Sequence, residues 1–151
     1  MAKARASVKT NALIPGVHAW LVLWKATHAI QGIANRDIKK RGVCTSDFAV
    51  LEVLLHKGPQ PVNEIGKRVL LTSGSMTAAI NRLQRKELVV RKEDPEDHRA
   101  WMVHLTASGQ RWIENAFAEH ARRMEAAFAS LNAQERETLV ALLKKLGRSA
   151  I

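Results

Sequence analysis

A helical recurrence links Val17, Trp20, Leu21, Trp24, Thr27, His28 and Gln31, with Pro15 suited to a first helical turn. It predicts a long first helix that ends near the basic cluster Arg36, Lys39, Lys40 and Arg41. After Gly42, Thr45-Ser46-Asp47 precedes Phe48, Leu51, Val53, Leu54 and Leu55, the signature of a capped and deeply buried helix stopping at Gly58-Pro59. Pro61 opens a short helical stretch through Ile65 to Val69. Leu71-Thr72-Ser73 interrupts it, and Met76, Ala79, Ile80 and Leu83 resume the period, giving two short helices across a tight turn.

Beyond Lys86 the pattern changes to that of strands. Leu88-Val89-Val90 and Trp101 through Leu105 flank a loop rich in Asp and Pro, which predicts a β-hairpin. Thr106 and Ser108 can cap a following helix carrying Ile113, Ala116, Phe117, His120, Met124, Ala127 and Phe128. Asn132 with Glu135 forms a capping-box pair ahead of a last helix, whose stripe Leu139, Leu142, Leu143 and Leu146 precedes Gly147. The helices at the two ends carry more apolar surface than a small central module can cover, so they are expected to build a homodimer interface.

The chain is thus expected to be mainly α with a small β-hairpin. Residues 1–10, with Lys3, Arg5 and Lys9 among small residues, read as a basic arm. Residues 11–42 and 106–151 supply dimerisation helices around a central module of residues 43–105. At 151 residues this is one domain.

Charge narrows the function. Twenty-four Lys and Arg against 14 Asp and Glu leave a formal +10, a balance that favours a polyanionic partner. The lone Cys44 excludes an internal disulfide and any multi-cysteine zinc site, and fits a reducing, cytoplasmic setting. No apolar run reaches the roughly 18 residues of a membrane span. The chain lacks a glycine-rich phosphate loop, a Gly-x-Ser-x-Gly elbow and a His-Glu-x-x-His pair, and His18, His28, His56, His98, His104 and His120 are scattered. No enzyme, cofactor or metal site is therefore expected.

Helix, helix, helix and hairpin, with cations gathered in the last two, is the order of a winged helix-turn-helix that reads DNA. An exposed helix enters a major groove about 12 Å wide if its outer side offers polar donors and acceptors. Ser73, Ser75, Thr77, Asn81, Arg82 and Arg85 supply them, and Gly74 permits close approach of the backbone. Asn81 suits an adenine edge, and Arg82 suits guanine or phosphate. Arg99 at the loop tip can probe a minor groove, oriented by Asp97, while Arg91 and Lys92 lie toward phosphates. A winged module for RNA or protein is the alternative, but the narrow major groove of A-form RNA does not admit such a helix.

Asp94-Pro95-Glu96-Asp97-His98-Arg99 followed by Val103-His104-Leu105-Thr106-Ala107-Ser108-Gly109 closely resembles the wing of MarR-type regulators. Phe48-Ala49-Val50-Leu51, Leu71 through Thr77 and Asn81-Arg82-Leu83 are similar to that family's second helix and recognition helix. The resemblance runs from Trp20 to about Leu146. It implies a homodimer joined through the terminal helices, which reads a pseudo-palindromic operator with half-sites about 10 bp apart. His98 stands where a second basic residue is common, and an ordinary imidazole is mostly neutral at pH 7. Glu87 stands where the family usually has glycine, which implies a modified turn.

Many MarR-type regulators release DNA on binding aromatic acids or phenols. Trp20, Trp24 and His28 follow one another at i, i+4 and so share a helix face. With Phe48 they can line an aromatic-accepting pocket, His28 or Arg41 holding a carboxylate or hydroxyl. The same rings can equally serve as packing. Cys44, at or next to a helix start, offers a redox alternative, although any disulfide would need a second subunit or a small thiol. The expected function is a ligand-responsive repressor, with thiol-based sensing as the alternative.

Overall fold

The computed structural model describes residues 14–94 and 101–149. Its elements run α1 (Pro15–Lys40), α2 (Thr45–Lys57), β1 (Gln60–Pro61), α3 (Val62–Val69), α4 (Ser73–Arg85), β2 (Val89–Glu93), β3 (Trp101–Leu105), α5 (Ala107–Ala127) and α6 (Ala133–Ser149). The chain falls into two compact units, one ending at Gly32 and the other beginning at Ile33.

Within the second unit α2 lies at the centre, packed against α3, α4, α5 and β3. Its buried Phe48, Val50, Leu51 and Leu54 meet Ile65 of α3, Met76, Ile80 and Leu83 of α4, Val103 of β3 and Ile113 of α5 in one apolar cluster. The predicted hairpin is present, with Val89 opposite Leu105 and Glu93 opposite Trp101. It is also joined by β1, so the sheet is three-stranded in the order β1-β3-β2. A two-residue strand has no periodicity to read, and its pairing to Met102 and Val103 exists only through the tertiary fold. Pro61 ends that strand and stands at the N-cap of α3 rather than inside its first turn.

The turn after α4 keeps the backbone of a glycine turn. Glu87 adopts φ +56°, its N–H bonds the Gln84 carbonyl at 2.9 Å, and Leu88 N–H reaches the Leu83 carbonyl at 3.0 Å. The turn is therefore modified in residue type and not in path. Immediately beyond, the start of α5 is clamped to the same segment. Thr106 Oγ1 and Ser108 Oγ donate to the Glu87 carbonyl at 2.6 and 2.9 Å, and Thr106 Oγ1 accepts from Gly109 N–H at 2.9 Å. A Cβ added to Gly109 would fall 1.9 Å from the Leu88 carbonyl oxygen, so this approach requires glycine.

The capping box ahead of α6 forms as expected, Glu135 N–H bonding Asn132 Oδ1 at 3.0 Å and Asn132 N–H bonding Glu135 Oε2 at 2.8 Å. Gly147 does not end that helix, which continues to Ser149. No residue of α6 is buried.

Candidate nucleic-acid interface

Helix α4 begins at Thr72, whose hydroxyl accepts from Ser75 N–H at 3.3 Å. Met76, Ala79, Ile80 and Leu83 form its buried stripe. At about 100° per residue the opposite side is Gly74, Ala78, Asn81 and Arg85, all exposed. Ser73, Thr77 and Gln84 lie on the flank toward the sheet, and Ser75 and Arg82 on the flank toward α2. Ser73, Gly74, Ser75, Thr77, Asn81 and Arg85 are thus exposed on the outward side of the helix.

Arg82 is placed differently from the expectation for a groove reader. Its Nε donates to both Asp47 oxygens at 3.1 and 3.2 Å, and its Nη2 donates to Asp47 Oδ1 at 2.6 Å and Ser46 Oγ at 3.2 Å. Asp47 is 1% exposed, so the pair is a partly buried fork that braces the recognition helix against α2. Its hydrogen bond with Asp47, more than the nearby charge, holds the guanidinium further above its ordinary range. In the sequence Asp47 stands out only as part of a helix cap. Its signal was its place on the stripe with Val50, Leu51 and Leu54, where a carboxylate needs a partner.

Arg91 is half-buried and Lys92 exposed on β2. Asp97, His98 and Arg99 lie outside the described residues. Burial, and then the charge of Lys92, lower His104 below the usual imidazole range, so this wing residue is neutral at physiological pH.

The family model described as MarR family matches residues 42–100, the stretch from the start of α2 through the hairpin loop. Over 131 residues the chain is 37% identical to the HTH-type transcriptional regulator YkoM of Bacillus subtilis, covering 87% of this chain and 85% of YkoM. The chain belongs to the MarR family. It is 37% identical, again over 131 residues, to the B. subtilis regulator MhqR, covering 87% of this chain and 90% of MhqR. A solved structure of Bordetella bronchiseptica BpsR, described with the regulation of its DNA binding by 6-hydroxynicotinic acid, superposes with a TM-score of 0.76. Identity there is 25%, over 86% of this chain and 98% of that chain. As a MarR-family protein with a winged helix, the chain is a DNA-binding transcriptional regulator.

The residues suggested for effector sensing in this MarR-family chain fall in both units. In the first, Trp20 and Trp24 are 60% and 54% exposed, and the Trp24 and His28 rings stack with centroids 6.2 Å apart. In the second, Phe48 is buried with its ring 4.9 Å from that of His120. Arg41 is occupied by Glu119 and lies 3.7 Å from Asp37, so its charge is already partnered within the protein. Asp37 is 2% exposed and takes Arg123 Nε at 2.8 Å, an ion-pair network between the end of α1 and α5 that sequence spacing could not reveal. Cys44 occupies the N-cap position of α2 and is exposed, with Sγ 3.1 Å from Ser46 Oγ and 3.4 Å from Arg82 Nη2.

Proposed function

We propose that this MarR-family regulator acts in the cytoplasm as a homodimeric repressor whose operator complex is dissolved by a small aromatic acid or phenol. The observation that carries the DNA part is the outward row of α4, Gly74, Ala78, Asn81 and Arg85, flanked by Ser73, Ser75 and Thr77 and left free of intramolecular packing. Asn81 and Arg85 read base edges, and the hydroxyls with Arg91 and Lys92 hold phosphates. Arg82 serves as the brace that aims the helix. Dimerisation through the terminal helices is supported by the exposed stripe of α6, where Leu142 and Leu146 are 59% and 52% exposed.

The effector part rests on the exposed Trp20, Trp24 and His28 face of α1 and on the likeness to BpsR. An effector that binds the DNA-incompetent dimer better lowers operator affinity by its differential binding, commonly about 5- to 150-fold. A duplex enriched from a random pool by the protein is the probe. Indole carboxylates, benzoates and phenols at millimolar concentration should raise the melting temperature of the free protein and dissolve its complex in a mobility assay. If none of them does either, the effector class is wrong.

Cys44 supports a second reading, because its sulfur touches Arg82, the brace of the recognition helix. Oxidation of the thiol by a peroxide to the sulfenic acid, with reduction of the peroxide to its alcohol, would add an oxygen beside Nη2 and disturb that brace. Peroxide should then release DNA from the wild type and not from Cys44→Ser.

A further inference from the structure

Trp101 opens β3, next after the loop that carries the wing tip. It lies on the same strand face as Val103, which is fully buried, but it projects past the core and remains 50% exposed. With Val62, it lines two open grooves. One, of about 590 Å³, is lined by Pro61, Val62, Gly66, Leu71 and Met76 together with Lys67 and Ser73. The other, of about 520 Å³, is lined by Val62, Thr77, Gln84 and Arg91. The ring therefore stands beside the sheet-side flank of α4, the flank of Ser73, Thr77 and Gln84, with Arg91 on one side and Lys67, itself bonded to Glu64 at 2.7 Å, on the other.

A helix about 10–12 Å across fills a major groove about 12 Å wide, so its two flanks face the two sugar-phosphate strands that border the groove. The flank toward α2 carries Ser75 and the braced Arg82. On the other flank stands a half-exposed indole with Arg91 and Lys67 at the grooves beside it and Glu93 opposite it in the sheet, a surface that sets an apolar face next to cations as DNA sets deoxyribose next to phosphate. We propose that Trp101 is a DNA-backbone contact, its ring face lying against a deoxyribose and its Nε1–H donating to a phosphate oxygen, positioning the recognition helix without reading any base. This rests on the assignment of α4 to the major groove. The indole is a donor only, which suits a phosphate, and its large rigid face adds apolar contact at small entropic cost.

Loss of a contact of this kind weakens binding to all duplexes alike. With a duplex enriched from a random pool and a scrambled duplex of equal length as probes, Trp101→Ala should bind both about tenfold more weakly and leave their affinity ratio unchanged. Trp101→Phe, which keeps a ring and loses the N–H, should fall between. The salt dependence should change little in Trp101→Ala, whereas Arg91→Ala should lower the slope by about one counterion. Wild-type affinity in Trp101→Ala overturns the proposal, and so does a loss confined to the enriched duplex, which would make the residue a base reader. Should Trp101→Ala not fold, protein labelled with 5-fluorotryptophan decides. The fluorine resonance absent from Trp101→Phe must move when duplex is added to the wild type, and a bound complex in which it stays fixed refutes the contact. A wild type that binds neither duplex would instead bring down the groove assignment of α4 itself.

Discussion

Helices α4 and α6 are both amphipathic, and they dispose of their apolar stripes in opposite ways. Helix α4 buries Met76, Ala79, Ile80 and Leu83 against its own chain, and spends its other side on polar groups. Helix α6 leaves Val140, Leu142, Leu143 and Leu146 between 40% and 59% exposed, although its N-terminus is fully capped. Local helix signals are equally good in both. The difference is that the stripe of α4 is packed into the core around α2, whereas the stripe of α6 stays exposed, the surface on which the proposed dimerisation rests. One helix buries its apolar side within its own chain, and the other leaves it exposed.

Substitutions can break that contrast. The largest effect is expected inside the winged body at Gly109→Ala, because the new methyl group collides with backbone at Leu88 and not with a side chain that can swing away. A loss of about 3 kcal/mol or more is expected in urea or thermal unfolding. Next, Arg82→Ala strands the Asp47 carboxylate, whose side chain is only 2% exposed. Since 35% of the Arg82 side chain is in water, the cost should be about 2–3 kcal/mol, below that of a wholly buried pair. Lysine at 82 should recover only part of it, lacking the forked geometry. Both variants act on the body and should be visible in its unfolding transition.

On α6 the readout should move from folding to assembly. Leu142→Asp, at a site 59% exposed within one chain, should shift the molecular mass measured by light scattering toward the monomer while far-ultraviolet dichroism retains its helical content. An unchanged dimer would assign the stripe another purpose. The smallest effect concerns pH. His104 has a lowered pKa, so the unfolded chain takes up its proton near the ordinary value of about 6.5 and the folded chain only at lower pH. Stability is complete above that point and declines as pH falls from it toward the folded pKa. His104→Gln should therefore show a shallower acid-side loss of melting temperature than the wild type between about pH 7 and 5.

The helices around the core, the hairpin and the capping box at Asn132 were legible in the sequence because each is written locally, in a period or a short spacing. The polar row Ser73 to Arg85 was legible for the same reason, since the apolar positions of α4 settle which side remains outside. Helical spacing places Arg82 on a flank, where it suits guanine or phosphate, but does not disclose its partner Asp47, which is 35 residues away. Strand β1 was missed because two residues carry no pattern, and Glu87 misled because composition favours glycine where a bonded turn can hold another residue in the left-handed region.

By itself, then, the order of residues determined the elements, their exposed and buried sides and the family to which they belong, for these follow from interactions over a few positions. Only the tertiary structure decided that Arg82 is a brace, that Gly109 must lack a side chain and that Trp101 stands beside the recognition helix. Each of those depends on groups brought together from distant parts of the chain, where charge pairing, steric exclusion and shared exposure act through space and leave no local spacing to read.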